Sequence, residues 1–512
     1  MPGYNPSMAF QRRGILGLRW ADLAIFAAYV NMMYFAVRRY IPWEDEGRAW
    51  TVVRYFGLYD MVFHALRYEG HPPLWYLILF PLAKLGLPYT YINLVSTSFA
   101  VAGVYVFLRY SPFPYYIKVV LPFGFAMAYQ YAVVARSYCI FPLLGFLIAN
   151  EYRHPTRRPV RMAILLALLA NLSVHGTIVA CAFGVSYAWD LYREHRSAGE
   201  WAEPVPRLRL AGGIFAASLA LVLVVLWPPH DLQAPVAHPL NPVIHKPAPA
   251  TYHPLRHPAI IVRTAVEPAP ANAPAPLALN LGIGSLKILE RISTVFFYPI
   301  ATFAPLATEF YALVFVLAWR RGKALLIGAP LVLGAFIVQV YLRLWHTSLM
   351  WIVLIMILWV VWEKGEPFAR LSLQNATAVI FALICLLQLP WAVEAVIFEH
   401  LHATYPAKAT ADYLKTLPQG LRIDGFDHAH TLLPYFEFYP FHRQAEVLDV
   451  PTVLRERPDV LVFRETTVTP EQLAELHKAG YENLHSFCGT PFFPNQPLTP
   501  LCMDVLETNW EY

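Results

Sequence analysis

Apolar residues along the chain fall in blocks of about 20, and a block of that length is what one helix needs to cross roughly 30 Å of hydrocarbon. The first block, Trp20 to Val37, follows Arg12, Arg13 and Arg19 and leads into no small-residue cleavage site. It therefore reads as a retained helix with a cytoplasmic N-terminus. Three later segments are basic: Glu151–Arg161, Tyr192–Arg209 and Arg320–Lys323. Lys and Arg concentrate in cytoplasmic loops, so an even number of crossings separates each of these segments from the next. That parity predicts two short helices within Met162–Trp189, broken at His175-Gly176, and then helices over Leu210–Trp227, Thr302–Trp319, Ala324–Tyr341, Trp345–Trp362 and Leu371–Val393. Residues 228–301 fall outside. Upstream, Ile117–Val134 and Ser137–Asn150 pair about an external turn at Arg136, with Tyr91–Leu108 before them. Residues 38–90 are then one external loop. Its apolar stretch His71–Leu87, interrupted by Pro72, Pro73 and Pro81, reads as a juxtamembrane or half-inserted helix, an irregular element tolerated where protein covers it.

The expected fold is thus a polytopic α-helical membrane protein of about 11 crossings, N-terminus inside and C-terminus outside, whose membrane domain spans residues 1–395. From about Pro406 the pattern changes. Ala409–Leu417 and Pro470–Gly480 read as helices, and Leu421–Phe426, Asp459–Arg464 and Leu501–Leu506 as strands, giving a small external α/β domain over residues 400–512. Cys488 and Cys502 lie in this polar tail, and a disulfide between them places it in an oxidising compartment. Cys139, Cys181 and Cys385 sit in apolar blocks and read as buried thiols.

Composition narrows the function. The 512 residues are 57% hydrophobic and 14% charged, against about 25% charged in soluble domains. A soluble enzyme, a nucleic-acid binder and a disordered scaffold are excluded. The net charge of +5 adds nothing about partners, because its Lys and Arg sit in the short loops that set topology.

Candidate chemistry begins in the external loop 38–90. Glu44, Asp45 and Glu46 follow Pro42-Trp43 at the outer end of the first helix. After them two short amphipathic helices lie along the membrane, marked by Trp50, Val53, Phe56 and Leu58 and by Met61, Phe63, Ala65 and Leu66. A solvated loop that stops the helix is one reading of the three acids. The flanking aromatics and the Gly70-His71-Pro72-Pro73 turn favour another: a partly desolvated carboxylate acting as general base.

An Asp-Glu pair just past the first helix, two juxtamembrane helices, and His71-Pro72-Pro73-Leu74 entering an apolar segment about 25 residues later resemble the GT-C glycosyltransferases, as the two motifs recur together in an external first loop of that superfamily. These membrane enzymes include the protein O-mannosyltransferases and the lipid A aminoarabinose transferase. The resemblance implies a transferase that moves a sugar, with inversion, from a polyprenyl-phosphate-linked donor to a lipid, glycan or protein acceptor on the periplasmic side of a bacterial inner membrane. It makes Asp45 the base that deprotonates the acceptor hydroxyl, Glu46 its neighbour, and His71 a site-lining residue. Membrane lipid is the surrounding partner and nucleic acid is not one. Many relatives carry a second acid in the next external loop. Here that turn reads Val134-Ala135-Arg136-Ser137-Tyr138, so a divalent metal, magnesium or manganese, lacks its second carboxylate and has Asp45 as its only candidate ligand. Arg136 then becomes a candidate to face a phosphate, or else an interfacial anchor whose stem snorkels.

A lipid-phosphate donor calls for fixed cations near the outer surface, and Arg offers bidentate geometry. Arg343 and His346, three residues apart at the outer end of a hairpin, are the leading pair, followed by His175. The Pro-rich segment 228–276 holds 13 prolines and five histidines without metal-ligand spacing. It reads as a loop over the site, in which Arg256 and Arg263 are the phosphate candidates that the resemblance implies. Asp424-Gly425-Phe426-Asp427-His428, at a strand end, reads as a structural turn or an acceptor contact. The competing readings are a lipid or glycan transporter and an O-antigen polymerase or ligase. A transporter is expected to show internal repeats in its hydropathy, and none is visible here.

Overall fold

The computed structural model describes residues 17–42, 44–154, 157–199, 203–228, 281–298, 300–301, 303–340, 342, 344–363, 372–445, 447–492 and 498–508. These fall into two compact units, one drawn from Met1–Arg38, Val95–Leu223 and Ala269–Glu394, the other from Arg39–Leu94, Val224–Pro268 and Ala395–Tyr512.

The first unit is helical. Among the described residues of the whole chain, four helices are long and apolar enough to cross a membrane: Trp20–Val37, Tyr91–Tyr110, Val205–Leu226 and Leu373–Leu401. Shorter apolar helices include Leu74–Lys84, Pro159–Ala170, Ala324–Gln339 and Trp345–Val361. The stretch expected as one helix over Ile117–Val134 is instead an α-helix Tyr115–Val120, a 3-10 turn Leu121–Phe123 holding Pro122, and a π-helical turn Ala126–Gln130. Pro122 removes a backbone donor, and with Gly124 two residues later the regular ladder breaks here. The two helices expected inside Met162–Trp189 are Pro159–Ala170 and Val174–Ala198, but the break lies at residues 171–173 and not at His175-Gly176, and the second helix is 25 residues long and not short. Ser173 caps the second helix by accepting the Gly176 N–H. A Cβ at Gly176 would lie 2.2 Å from the Leu169 carbonyl, so only glycine lets the two helices turn this closely.

Two of the basic segments meet at one end of this unit. Arg193 donates to the Gly322 carbonyl at 3.3 Å, and Lys323 Nζ lies 2.6 Å from Asp190. His175, in the first turn of the same Val174–Ala198 helix, is about 27 Å from that end at roughly 1.5 Å per residue.

The second unit joins the first-loop helices to the C-terminal sheet. Leu74–Lys84, the apolar segment after His71-Pro72-Pro73, is an 11-residue helix, about 16 Å long and too short to span. It packs against the helix Glu44–Tyr55. Five strands, β1 (Ile423–Phe426), β2 (Arg443–Ala445), β3 (Val460–Arg464), β4 (Tyr481–Gly489) and β5 (Leu501–Thr508), lie in the order β2-β1-β3-β5-β4. The first three are mutually parallel, and β5 is antiparallel to β3 and β4. Side chains alternate across the sheet: Val460 and Val462 enter one core with Leu432, Leu433 and Val505, while Leu461 and Phe463 enter the other with Val453, Leu476 and Leu506. Ile41 and Tyr55 of the first loop pack on the first of these cores. Cys488 and Cys502 face each other across β4 and β5 and are joined as a disulfide.

Candidate functional site

Glu44, Asp45 and Glu46 form the first turn of the Glu44–Tyr55 helix, where the unpaired N–H groups and the helix dipole favour negative charge. The three carboxylates meet different surroundings. Glu46 is fully buried and accepts the Tyr40 hydroxyl at 2.6 Å. Asp45 is partly exposed. Glu44 sits against two imidazoles, His428 Nδ1 at 3.2 Å and His430 Nε2 at 3.4 Å. Burial raises the Glu44 carboxyl, but the two histidines outweigh it and hold the group well below the ordinary carboxylate range. Burial lowers His428, and Glu44 more than reverses that, so its net shift is upward.

One turn further along the helix, Arg48 pairs with Glu69 at 2.9 Å, both side chains over nine-tenths buried. Asp45 lies close enough to act on both charges. The helix approaches the 3-10 segment Asp427–Tyr435 at Gly47, where a Cβ would lie 2.8 Å from the Pro434 ring and 3.1 Å from the Tyr89 hydroxyl. Arg54 at the far end donates to the Pro434 and Phe436 carbonyls at 3.2 and 2.8 Å. Acidic first turn, Leu74–Lys84 helix and post-β1 segment thus form one packed body. His71, which opens the Pro-Pro turn, is half-buried.

Sequence reasoning placed His428 at a structural turn or acceptor contact and assigned nothing to His430. The structure instead sets both beside Glu44. The available signal was a pair of histidines two positions apart directly after a strand. What that pair faces, more than 380 residues earlier in the chain, is not readable locally.

A second group forms within the helical unit, where three segments expected to carry donor-binding residues converge. The Arg136 guanidinium lies 5.7 Å from the Tyr138 ring centre and 5.4 Å from that of Trp345. His175 Nδ1 is 3.3 Å from the Tyr138 hydroxyl, and its ring lies 4.4 Å from that of His346. The backbone is set by short elements: the 3-10 turn Ser137–Ile140, the capped start of Val174–Ala198, and the start of the Leu344–Val361 helix. Ser348 in that helix donates to Gln130 at 2.7 Å, and Tyr131 donates to the Trp345 carbonyl at 2.9 Å. The group offers a cation with aromatic and imidazole walls, which suits an anionic headgroup. Arg256, Arg263 and Arg343, the other phosphate candidates, lie outside the described residues.

No family profile and no curated protein matches the chain. Among solved structures, the crystal structure of ArnT from Cupriavidus metallidurans bound to undecaprenyl phosphate aligns with a TM-score of 0.50 at 14% identity, covering 94% of this chain and 97% of that one. The apo-state structure of the same protein aligns with a TM-score of 0.50 at 12% identity over the same shares. ArnT is the lipid A aminoarabinose transferase, a GT-C glycosyltransferase. The resemblance carried by the Asp-Glu and His-Pro-Pro motifs is therefore met at the level of the fold, apolar helices with a small C-terminal sheet.

Proposed function

We propose that this chain is a GT-C-type glycosyltransferase of the bacterial inner membrane, moving a sugar from a polyprenyl-phosphate-linked donor to a hydroxyl of a lipid, glycan or protein acceptor on the periplasmic side. The observation that carries the reading is the first turn of the Glu44–Tyr55 helix. It presents Asp45 partly exposed between one carboxylate buried against Tyr40 and another held by two histidines. An alcohol is a weak nucleophile until a base takes its proton. On this reading Asp45 accepts that proton as the acceptor oxygen bonds to the anomeric carbon. The bond from that carbon to the phosphate oxygen breaks, and the prenyl phosphate leaves from the opposite face, which inverts the centre. Glu46 and the Arg48–Glu69 pair hold the turn in place. The Arg136 group is assigned to the donor phosphate, for which Arg supplies bidentate hydrogen bonds.

The test is sugar transfer from a panel of radiolabelled polyprenyl-phosphate sugars by wild-type protein and Asp45→Asn. Loss of a general base lowers turnover by about 10²–10⁴-fold. A folded Asp45→Asn protein with wild-type turnover removes Asp45 from the mechanism. Transport of a lipid-linked glycan with no donor turned over replaces the transferase by a transporter.

A further inference from the structure

We propose that Glu44, His428 and His430 form a transition-metal site, matched to zinc(II), that joins the Asp45-bearing helix to the segment following β1. One donor atom from each residue lies within 4.8 Å of the others. Glu44 Oε2 lies 3.2 Å from His428 Nδ1 and Oε1 lies 3.4 Å from His430 Nε2, so each imidazole meets one oxygen of the same carboxylate. Both nitrogens are buried and face the Glu44 carboxylate.

The tautomers sharpen this. His430 Nδ1 lies 3.1 Å from the Asp427 carbonyl, which can only accept, so that nitrogen carries a hydrogen and Nε2 is the atom left to face the carboxylate. A proton on the imidazole, as in the ion pair with Glu44, or a metal ion fills that contact. A carbonyl on the remote imidazole nitrogen is also the usual support of a metal-bound histidine. Binding through His428 Nδ1 would place the hydrogen of that ring on Nε2, which has the Asp427 carboxylate nearby, Oδ1 at 3.7 Å. Arg464 Nη1, 3.2 Å from that Nε2, must then withdraw, so Arg464 opposes occupancy.

Two imidazoles and one carboxylate leave a coordination position open and favour zinc and its neighbours over magnesium or manganese, which prefer all-oxygen sites. The group therefore differs in position and donor set from a magnesium or manganese ion held by Asp45. The other acid–imidazole group, Asp424, His442 and Glu456, already holds a cation: Arg443 lies 3.3 Å from Asp424 and 3.5 Å from Glu456. Because Glu44 directly precedes Asp45, an ion held here sets the position of that turn. The site stands on these contacts and not on the transferase reading.

The test uses the full-length protein in detergent, stripped with a chelator and titrated with zinc against a chromophoric competitor, with cobalt(II) absorption reporting the ligand field. One zinc per chain is expected, undisturbed by millimolar magnesium. His428→Gln and His430→Gln should each weaken binding about tenfold or more, and Arg464→Met, which removes no ligand, should tighten it several-fold. Less than stoichiometric zinc in the wild type, or wild-type affinity in a His428→Gln/His430→Gln protein that elutes as a folded species, overturns the site. Unchanged affinity in Arg464→Met removes His428 Nδ1 as a ligand and overturns it equally.

Discussion

Replacing Arg48 with methionine removes the cation beneath the acidic turn and leaves Glu69 buried without it. The pair is close, 2.9 Å, and its side chains keep 7% and 5% of their exposure. Unit charges about 4 Å apart attract by about 4 kcal/mol at an effective dielectric of 20, and breaking a buried pair from one side costs about 3–5 kcal/mol. At roughly 2–4 °C per kcal/mol for a body of this size, the melting temperature in detergent should fall by roughly 6–20 °C. Arg48→Met/Glu69→Gln carries no orphaned charge and should recover most of the loss, with a coupling of about 2 kcal/mol or more in the double-mutant cycle. The deficit also depends on pH. Burial holds the Glu69 carboxyl above its ordinary range even beside Arg48, which offsets only part of that rise. A raised folded-state value favours the protonated fold, so stability is greatest at low pH and is lost as pH rises through the folded value. Without Arg48 the folded value climbs further, and the deficit should be larger at pH 8 than at pH 5. An Arg48→Met protein within 1 kcal/mol of wild type, or a double variant that loses the full sum of the single losses, refutes the reasoning.

Gly47→Ala puts a methyl 2.8 Å from the Pro434 ring and should cost about 1–3 kcal/mol, read by chemical denaturation. Cys502→Ser opens the disulfide to Cys488, 14 residues away, and should cost about 3 kcal/mol on the chain-entropy account; the wild type alone should then lose thermal stability when reductant is added. Arg136→Gln should raise the donor KM about tenfold or more with a smaller effect on kcat. Arg136→Lys should restore it only in part, because the bidentate fork is lost; equal KM values for donor in wild type and Arg136→Gln would remove Arg136 from donor recognition.

Local pattern carried much of the architecture. Apolar runs bounded by Arg and Pro gave the helices around Trp20–Val37, Tyr91–Tyr110 and Leu373–Leu401; the break expected at His175-Gly176 gave a hairpin, but the turn falls at Asn171–Ser173 and the second helix runs 25 residues. Three strands and two helices of the sheet region were legible from alternation and turn residues. Strand β4 was not, since its exposed residues lack the apolar alternation that marks a half-buried strand. The long helix expected across Leu121-Pro122-Phe123-Gly124 failed where proline and glycine prevailed over hydropathy.

The sequence by itself determined apolar helices of membrane-crossing length, an acidic turn after the first of them and an α/β tail, because burial of apolar surface and the periods of helix and strand act over a few residues. Only the tertiary structure decided which acid meets which partner. Glu46 was given to Tyr40, Glu69 to Arg48, and Glu44 to His428 and His430. These assignments rest on distances of a few ångströms between groups up to almost 390 residues apart in the chain. Electrostatics and hydrogen bonding depend on that separation in space, and no local pattern records it.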